Sequence, residues 1–272
     1  MGSMLAAQGL SFHNTTEMNL RHPEAVASVH RAYMEAGAEV FQTNTFAANL
    51  HMLERAGLAG EAAEAQVAAI RLLRDVVAGD GFIGADIGPT GAMIEPFGDL
   101  AVCDAVSIFR QQLEVMLAEG VDFVLFETFE VLEELEAGIA AFRELGATVP
   151  LAATMSFSSE GGRTMMGTDG AKAARRLEDA GVDIIGANCG DPASLSVAIQ
   201  AMRTATPRPL MAQANAGVPR LVSGETVFDG TPVDSGQLAS DLIRDGVRIL
   251  GGCCGTTPEH IRQIARAAHA AA

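Results

Sequence analysis

Positive charge is scarce in this chain. It has 18 lysines and arginines against 34 aspartates and glutamates, a formal net charge of −16 over 272 residues. No basic cluster interrupts that balance, so nucleic acid and anionic membrane are poor partners, since both are recognised by concentrated positive charge. Long apolar runs are lacking too; none approaches the roughly 18 residues of a membrane span. The opening Met1-Gly2-Ser3-Met4-Leu5-Ala6 has neither the basic nor the apolar region of a signal peptide, and Ala6 stands where a myristoylation motif needs Ser or Thr. Cysteine is rare, with four residues in all. These absences point to the cytoplasm, where thiols serve as ligands or nucleophiles more often than as disulfides. No low-complexity linker divides the chain, and a 49% hydrophobic composition can fill one large core, so residues 1–272 read as a single domain.

What is present is alternation. Strand-like apolar runs cover Glu39–Thr43, Phe82–Asp86, Phe123–Glu127, Leu151–Met155, Ile184–Cys189, Leu210–Asn215 and Ile249–Cys253. Helical patterns cover Pro23–Ala36, Glu61–Val77, Asp104–Glu119, Val131–Leu145, Asp169–Ala180, Ala193–Thr204, Gly236–Asp245 and Pro258–Ala271. Pro23 and Pro258 each precede a Glu, as a first helical turn prefers. The connections Ala36-Gly37-Ala38-Glu39, Glu119-Gly120-Val121-Asp122, Ala180-Gly181-Val182-Asp183 and Asp245-Gly246-Val247 repeat one theme: a helix ends at a left-handed glycine and a buried strand begins. This is the α/β class, a parallel sheet covered by helices. Eight helices against seven strands predict a (β/α)₈ TIM-type barrel whose first strand is missing before the loop that opens the chain.

In such a barrel, chemistry lies at the C-terminal strand ends. Those ends read Thr43-Asn44-Thr45, Asp86, Glu127-Thr128, Ser156, Asn188-Cys189, Asn215 and Cys253-Cys254. Counting the missing strand, Asn44, Glu127, Cys189 and Cys253 end strands two, four, six and eight, which share an interior layer. Vicinal cysteines on a regular strand would face opposite ways, so Cys253 and Cys254 can share a metal only past the strand end, where Gly251, Gly252 and Gly255 permit a turn. Three thiols with a fourth position open fit catalytic rather than structural zinc. Three thiolates make Zn²⁺ a poor Lewis acid for hydrolysis but suit binding and deprotonating an incoming thiol, a nucleophile whose methylation gives a weaker, departing thioether. The alternative is three small buried hydrophobes, or a strained Cys253–Cys254 disulfide. Cys103, at a helix start, reads as buried packing.

Glu127 follows four apolar residues, Phe123-Val124-Leu125-Phe126, and a carboxylate there needs a cation: a substrate ammonium or a salt bridge at the rim. Asp86 either shapes the turn Gly88-Pro89-Thr90-Gly91 or touches substrate. Asn215 either caps a loop or serves the metal. Gly79-Asp80-Gly81-Phe82-Ile83-Gly84 matches a dinucleotide fingerprint by letter but precedes its strand, so it presents no helix N-terminus to pyrophosphate. Gly88-Pro89-Thr90-Gly91 lacks the lysine of a phosphate loop. The histidines show no zinc-peptidase spacing, and His22, His30, His260 and His269 read as surface or rim residues. The 12 methionines read as core filling.

The chain resembles the zinc-dependent homocysteine S-methyltransferases nearly end to end. The resemblance rests on Asn19-Leu20-Arg21-His22-Pro23-Glu24, Thr43-Asn44-Thr45-Phe46, Asp86-Ile87-Gly88-Pro89-Thr90-Gly91, Phe126-Glu127-Thr128-Phe129, Asn188-Cys189-Gly190, Asn215-Ala216-Gly217 and, most specifically, the segment from Gly251 to His260, Gly-Gly-Cys-Cys-Gly-Thr-Thr-Pro-Glu-His. Two of these motifs look more like the homocysteine module of cobalamin-dependent methionine synthase than like the betaine enzyme. The resemblance implies zinc on Cys189, Cys253 and Cys254, homocysteine thiolate in the open position, and methionine as product. It implies Glu127 on the homocysteine amino group and Asn215 able to occupy the fourth metal position before substrate arrives; Asn44, which strand parity brings to the same layer, is expected among the substrate contacts. The methyl donor would come from a separate molecule: a corrinoid, free or on its own protein, a folate, betaine or S-methylmethionine. Family members open with a strand leading to Asp-Gly-Ala-Met-Gly-Thr-Met-Leu, of which Met1-Gly2-Ser3-Met4-Leu5 matches only the tail. A barrel beginning there would have a seam, reduced stability and weak or no activity. The competing readings are methyl transfer to another thiol, and an inactive relative that only binds.

Overall fold

The computed structural model describes residues 1–10, 12–157, 161–222 and 225–271. They form two compact units, Met1–Arg31 with Glu39–Leu151, and Ala32–Ala38 with Ala152–Ala272.

The first unit opens with three helical segments, α1 (Gly2–Ala7), α2 (Met18–Arg21) and α3 (Pro23–Glu35), the last running into the second unit. Then follow β1 (Val40–Gln42), α4 (Leu50–Arg55), α5 (Ala62–Val77), β2 (Phe82–Ile87), α6 (Val102–Glu119), β3 (Phe123–Phe129) and α7 (Leu132–Glu144). The three strands are parallel, with Gln42 opposite Gly84 and Asp86 opposite Leu125. One face of β3 turns Phe126 toward α6, where its ring lies edge-on to Phe109 with centroids 5.7 Å apart. The start of the chain is helical rather than a loop, because Leu5 finds a fully buried site.

The second unit holds β4 (Leu151–Met155, its first residue apart), α8 (Gly170–Asp179), β5 (Ile184–Asn188), α9 (Pro192–Ala205) and β6 (Leu210–Ala214). A hairpin, β7 (Pro219–Val222) and β8 (Glu225–Phe228), precedes α10 (Pro232–Arg244), β9 (Val247–Gly252) and α11 (Pro258–Ala270). Strands β4, β5, β6 and β9 pair in parallel in that order. All seven strands and eight helices expected from the sequence are present. The connecting glycines Gly37, Gly120, Gly181 and Gly246 have φ of 99°, 79°, 76° and 91°, the left-handed region that stops each helix. The hairpin was not expected; β7 is exposed throughout, Leu221 at 77%, so no burial alternation marks it. Helix α10 starts four residues before the expected Gly236 because Thr231 and Asp234 form a reciprocal cap. Among the described residues, no helix is long and apolar enough to cross a membrane.

Candidate metal centre

Strand β5 ends at Asn188, and Cys189 leaves the sheet with φ 61°, a left-handed conformation that costs a non-glycine residue roughly 1 kcal/mol. Its backbone stays tied, the N–H donating to Gln213 O at 3.0 Å. Strand β9 ends at Gly252. Cys253 N–H still donates to Ala214 O at 2.8 Å, while Ala216 N–H donates to Cys254 O at 2.9 Å. The chain then turns through Gly255, φ 75°, on which the Phe228 ring of the hairpin packs so closely that any Cβ would collide with it. Past the strand the two vicinal cysteines no longer alternate, and their sulfurs lie 4.0 Å apart. With Cys189 included, the three Sγ atoms lie within 4.8 Å of one another, the first two residues half-buried and Cys254 exposed. All four cysteines are free of disulfides.

Asn215, the first residue past β6, locks the trio. Its Oδ1 accepts from Cys254 N–H at 3.0 Å, and its side chain hydrogen-bonds the Cys189 sulfur. Hydrogen bonds from the Cys253 and Cys254 thiols, in that order, push the Cys189 thiol down to about 2, while the bond to Cys189 raises Cys254. Tetrahedral zinc with Zn–S of about 2.3 Å has sulfur–sulfur edges of about 3.8 Å, so this donor set fits the metal with minor adjustment. The turn is buttressed by His260. Thr257 N–H donates to its Nδ1 at 3.2 Å, which leaves the proton on Nε2 to donate to Gly230 O at 3.0 Å.

In the first unit, Glu127 is buried and accepts from Gln42 Nε2 at 3.2 Å. Asp86 is buried beside it and hydrogen-bonded to it. The Asn44 amide donates to Thr15 O at 2.7 Å and to Asn19 Oδ1 at 3.0 Å, so both of its hydrogens are committed to tying the N-terminal segment to the end of β1. The turn after β2 is rigid, as expected: Thr90 N–H and Oγ1 both donate to Glu134 Oε1, at 2.8 and 2.6 Å. Nothing in the turn's own letters points to Glu134, which lies on α7.

Three expectations are corrected. Cys103 is exposed, because α6 turns Ala105, Phe109, Gln112, Leu113 and Met116 inward and Cys103 falls opposite them. His30 and His260 are buried, the first within α3 and the second as the helix cap described above; His22 and His269 are at the surface as expected. The Thr257-x-x-His260 spacing was the signal for the cap, with histidine in the place usually held by Glu or Gln.

The sequence profile described as Homocysteine S-methyltransferase matches residues 1–268. The chain belongs to the homocysteine S-methyltransferase family. Among this family's relatives, betaine–homocysteine S-methyltransferase 1 of Mus musculus is 33% identical over 92% of this chain. Methionine synthase of Mycobacterium leprae is 29% identical over 92% of it. The chain spans 66% of the length of the first and 22% of the second. The crystal structure of the homocysteine methyltransferase MmuM from Escherichia coli, metallated form, superposes with a TM-score of 0.79 at 21% identity, covering 98% of this chain and 93% of that one. That likeness carries the fold: the family's TIM-type α/β architecture, here with seven parallel strands among the described residues.

Proposed function

We propose that this chain transfers a methyl group to the sulfur of homocysteine, forming methionine, with Zn²⁺ held by Cys189, Cys253 and Cys254. The observation that carries the reading is the meeting of three sulfurs, 64 residues apart along the chain at the widest ligand-to-ligand step (189 to 253), within 4.8 Å at strand ends. When bound, Zn²⁺ supplies the charge that keeps an incoming thiol deprotonated at neutral pH. The chain's own residues do the rest. Asn215 fixes the Cys254 backbone so that the sulfurs hold their spacing. Hydrogen bonds from Cys253 and Cys254 favour the thiolate of Cys189, the form in which a cysteine ligates a metal. Glu127 offers a carboxylate for the substrate ammonium, oriented by Gln42. The geometry of Asn44 suits a residue that holds the end of β1 in place better than one that donates to substrate. The methyl donor is a separate molecule, a corrinoid, a folate or a small methylated compound such as betaine or S-methylmethionine; a corrinoid on its own protein would dock at the loops after the strands. Three sulfurs that must stay reduced suit the cytoplasm.

The test is metal analysis followed by methyl transfer to homocysteine from each of these donors. We expect about one zinc per chain and methionine from at least one donor. A zinc-bearing protein that methylates a different thiol and never homocysteine replaces the substrate; absence of zinc after supplementation removes the reading.

A further inference from the structure

The first unit contains an acid that the proposed chemistry has not used. Strand register places Gln42 opposite Gly84 and Asp86 opposite Leu125, so Gln42, Asp86 and Glu127 project from the same face of β1–β2–β3. Both carboxyl groups are buried, at 6% and 9% exposure. Two charges cannot share that space, and burial first, then the charge of Glu127, raises Asp86 well above the usual carboxylate range. Asp86 is therefore the protonated partner, donating to Glu127. Its backbone is fixed from both sides: its N–H donates to Thr43 Oγ1 at 3.0 Å, and Thr45 Oγ1 donates to its carbonyl at 2.7 Å. Its Oδ1, however, is buried with no hydrogen-bond partner. A buried acceptor in that condition costs about 1–3 kcal/mol, and a ligand that donates to it recovers the loss.

We propose that Asp86 is a second, specificity-determining residue for the substrate ammonium: the neutral acid donates through one oxygen to Glu127 and accepts an N–H of the ammonium on Oδ1, while Glu127 carries the charge. The pair then holds one proton and one negative charge, which a primary ammonium balances without any group changing its protonation state. This inference rests on the homocysteine reading above for the identity of the ligand. It selects amino-acid thiols over thiols that lack the amine.

The experiment measures binding of L-homocysteine and of its deaminated analogue 4-mercaptobutanoate to the zinc-loaded protein and to Asp86→Ala, Asp86→Val and Asp86→Asn, with zinc content as the control for folding. Valine, which a strand accepts readily, serves if alanine prevents folding. We expect the wild type to favour homocysteine by at least about tenfold, the worth of a hydrogen bond to a charged group. That preference should collapse in Asp86→Ala or Asp86→Val and survive in Asp86→Asn, whose amide reproduces both the donor and the acceptor. An unchanged preference in Asp86→Ala or Asp86→Val overturns the assignment of Asp86, as does its collapse in Asp86→Asn. Equal binding of both thiols by the wild type overturns the ammonium site and leaves methyl transfer standing. Binding of neither overturns both readings.

Discussion

His30 shows what a single buried ring does to the pH response. Burial pushes it down to about 3. Below the ordinary value near 6.5 the unfolded chain takes up a proton that the folded state refuses. Stability is therefore full above that pH and falls as pH drops toward 3, by roughly 2 kcal/mol at pH 5. Urea unfolding at pH 7 and pH 5 measures this, and His30→Leu should flatten the dependence. At the metal centre, two substitutions separate holding a metal from supporting its holders. Cys253→Ser should lower zinc affinity by well over about 100-fold. Asn215→Ala should cost about 10-fold, within the range for residues that orient ligands. Competition with a chromogenic chelator gives both numbers, and equal losses would make Asn215 a ligand in its own right.

Elements are where the fold was most legible. Strand runs such as Leu151–Met155 stand out because both faces are buried, and a glycine-led connection announces entry into four of the seven strands, β1, β3, β5 and β9. The cysteines were legible for a related reason, since a strand that runs into Gly-Gly-Cys-Cys-Gly must stop there. What escaped the sequence depends on partners far along the chain. The polar face of α7 hides Glu134, whose value shows only when Thr90 arrives from another loop. The same holds for His260, whose ring finds its partner only when Gly230 arrives from the loop before α10. Cys103 failed in the opposite sense, as composition alone favours burying a cysteine. Two element-scale outcomes follow. Glu134→Ala should destabilise the protein by about 2 kcal/mol by stranding the buried Thr90 N–H and leaving its hydroxyl only the longer bond to Ala92 O. Gly186→Ala should cost more than about 2 kcal/mol, because its Cβ would run into the Met211 carbonyl on the neighbouring strand, and backbone cannot yield as a side chain can. Thermal and urea unfolding report both; a neutral Gly186→Ala would mean that β5 and β6 are less closely held than described.

At the scale of the whole molecule, charge dominates. The chain's ion pairs, such as Arg71–Glu119 and Arg110–Glu114, have strongly exposed guanidinium groups and contribute little. A net charge of −16 repels itself, so salt should stabilise. Raising sodium chloride from low concentration to about 0.5 M should lift the melting temperature by about 2–4 °C, the equivalent of about 1 kcal/mol for a chain of this size; a fall would assign more to the ion pairs than their exposure suggests.

The sulfur trio has one consequence for assembly. Cys189 and Cys253 are separated by α9, β6, the hairpin, α10 and β9, and they become neighbours only once β5, β6 and β9 have paired. The unstructured polypeptide therefore offers no comparable chelate, and any ion gripped by all three sulfurs acts as a thermodynamic brake on unravelling of the second unit.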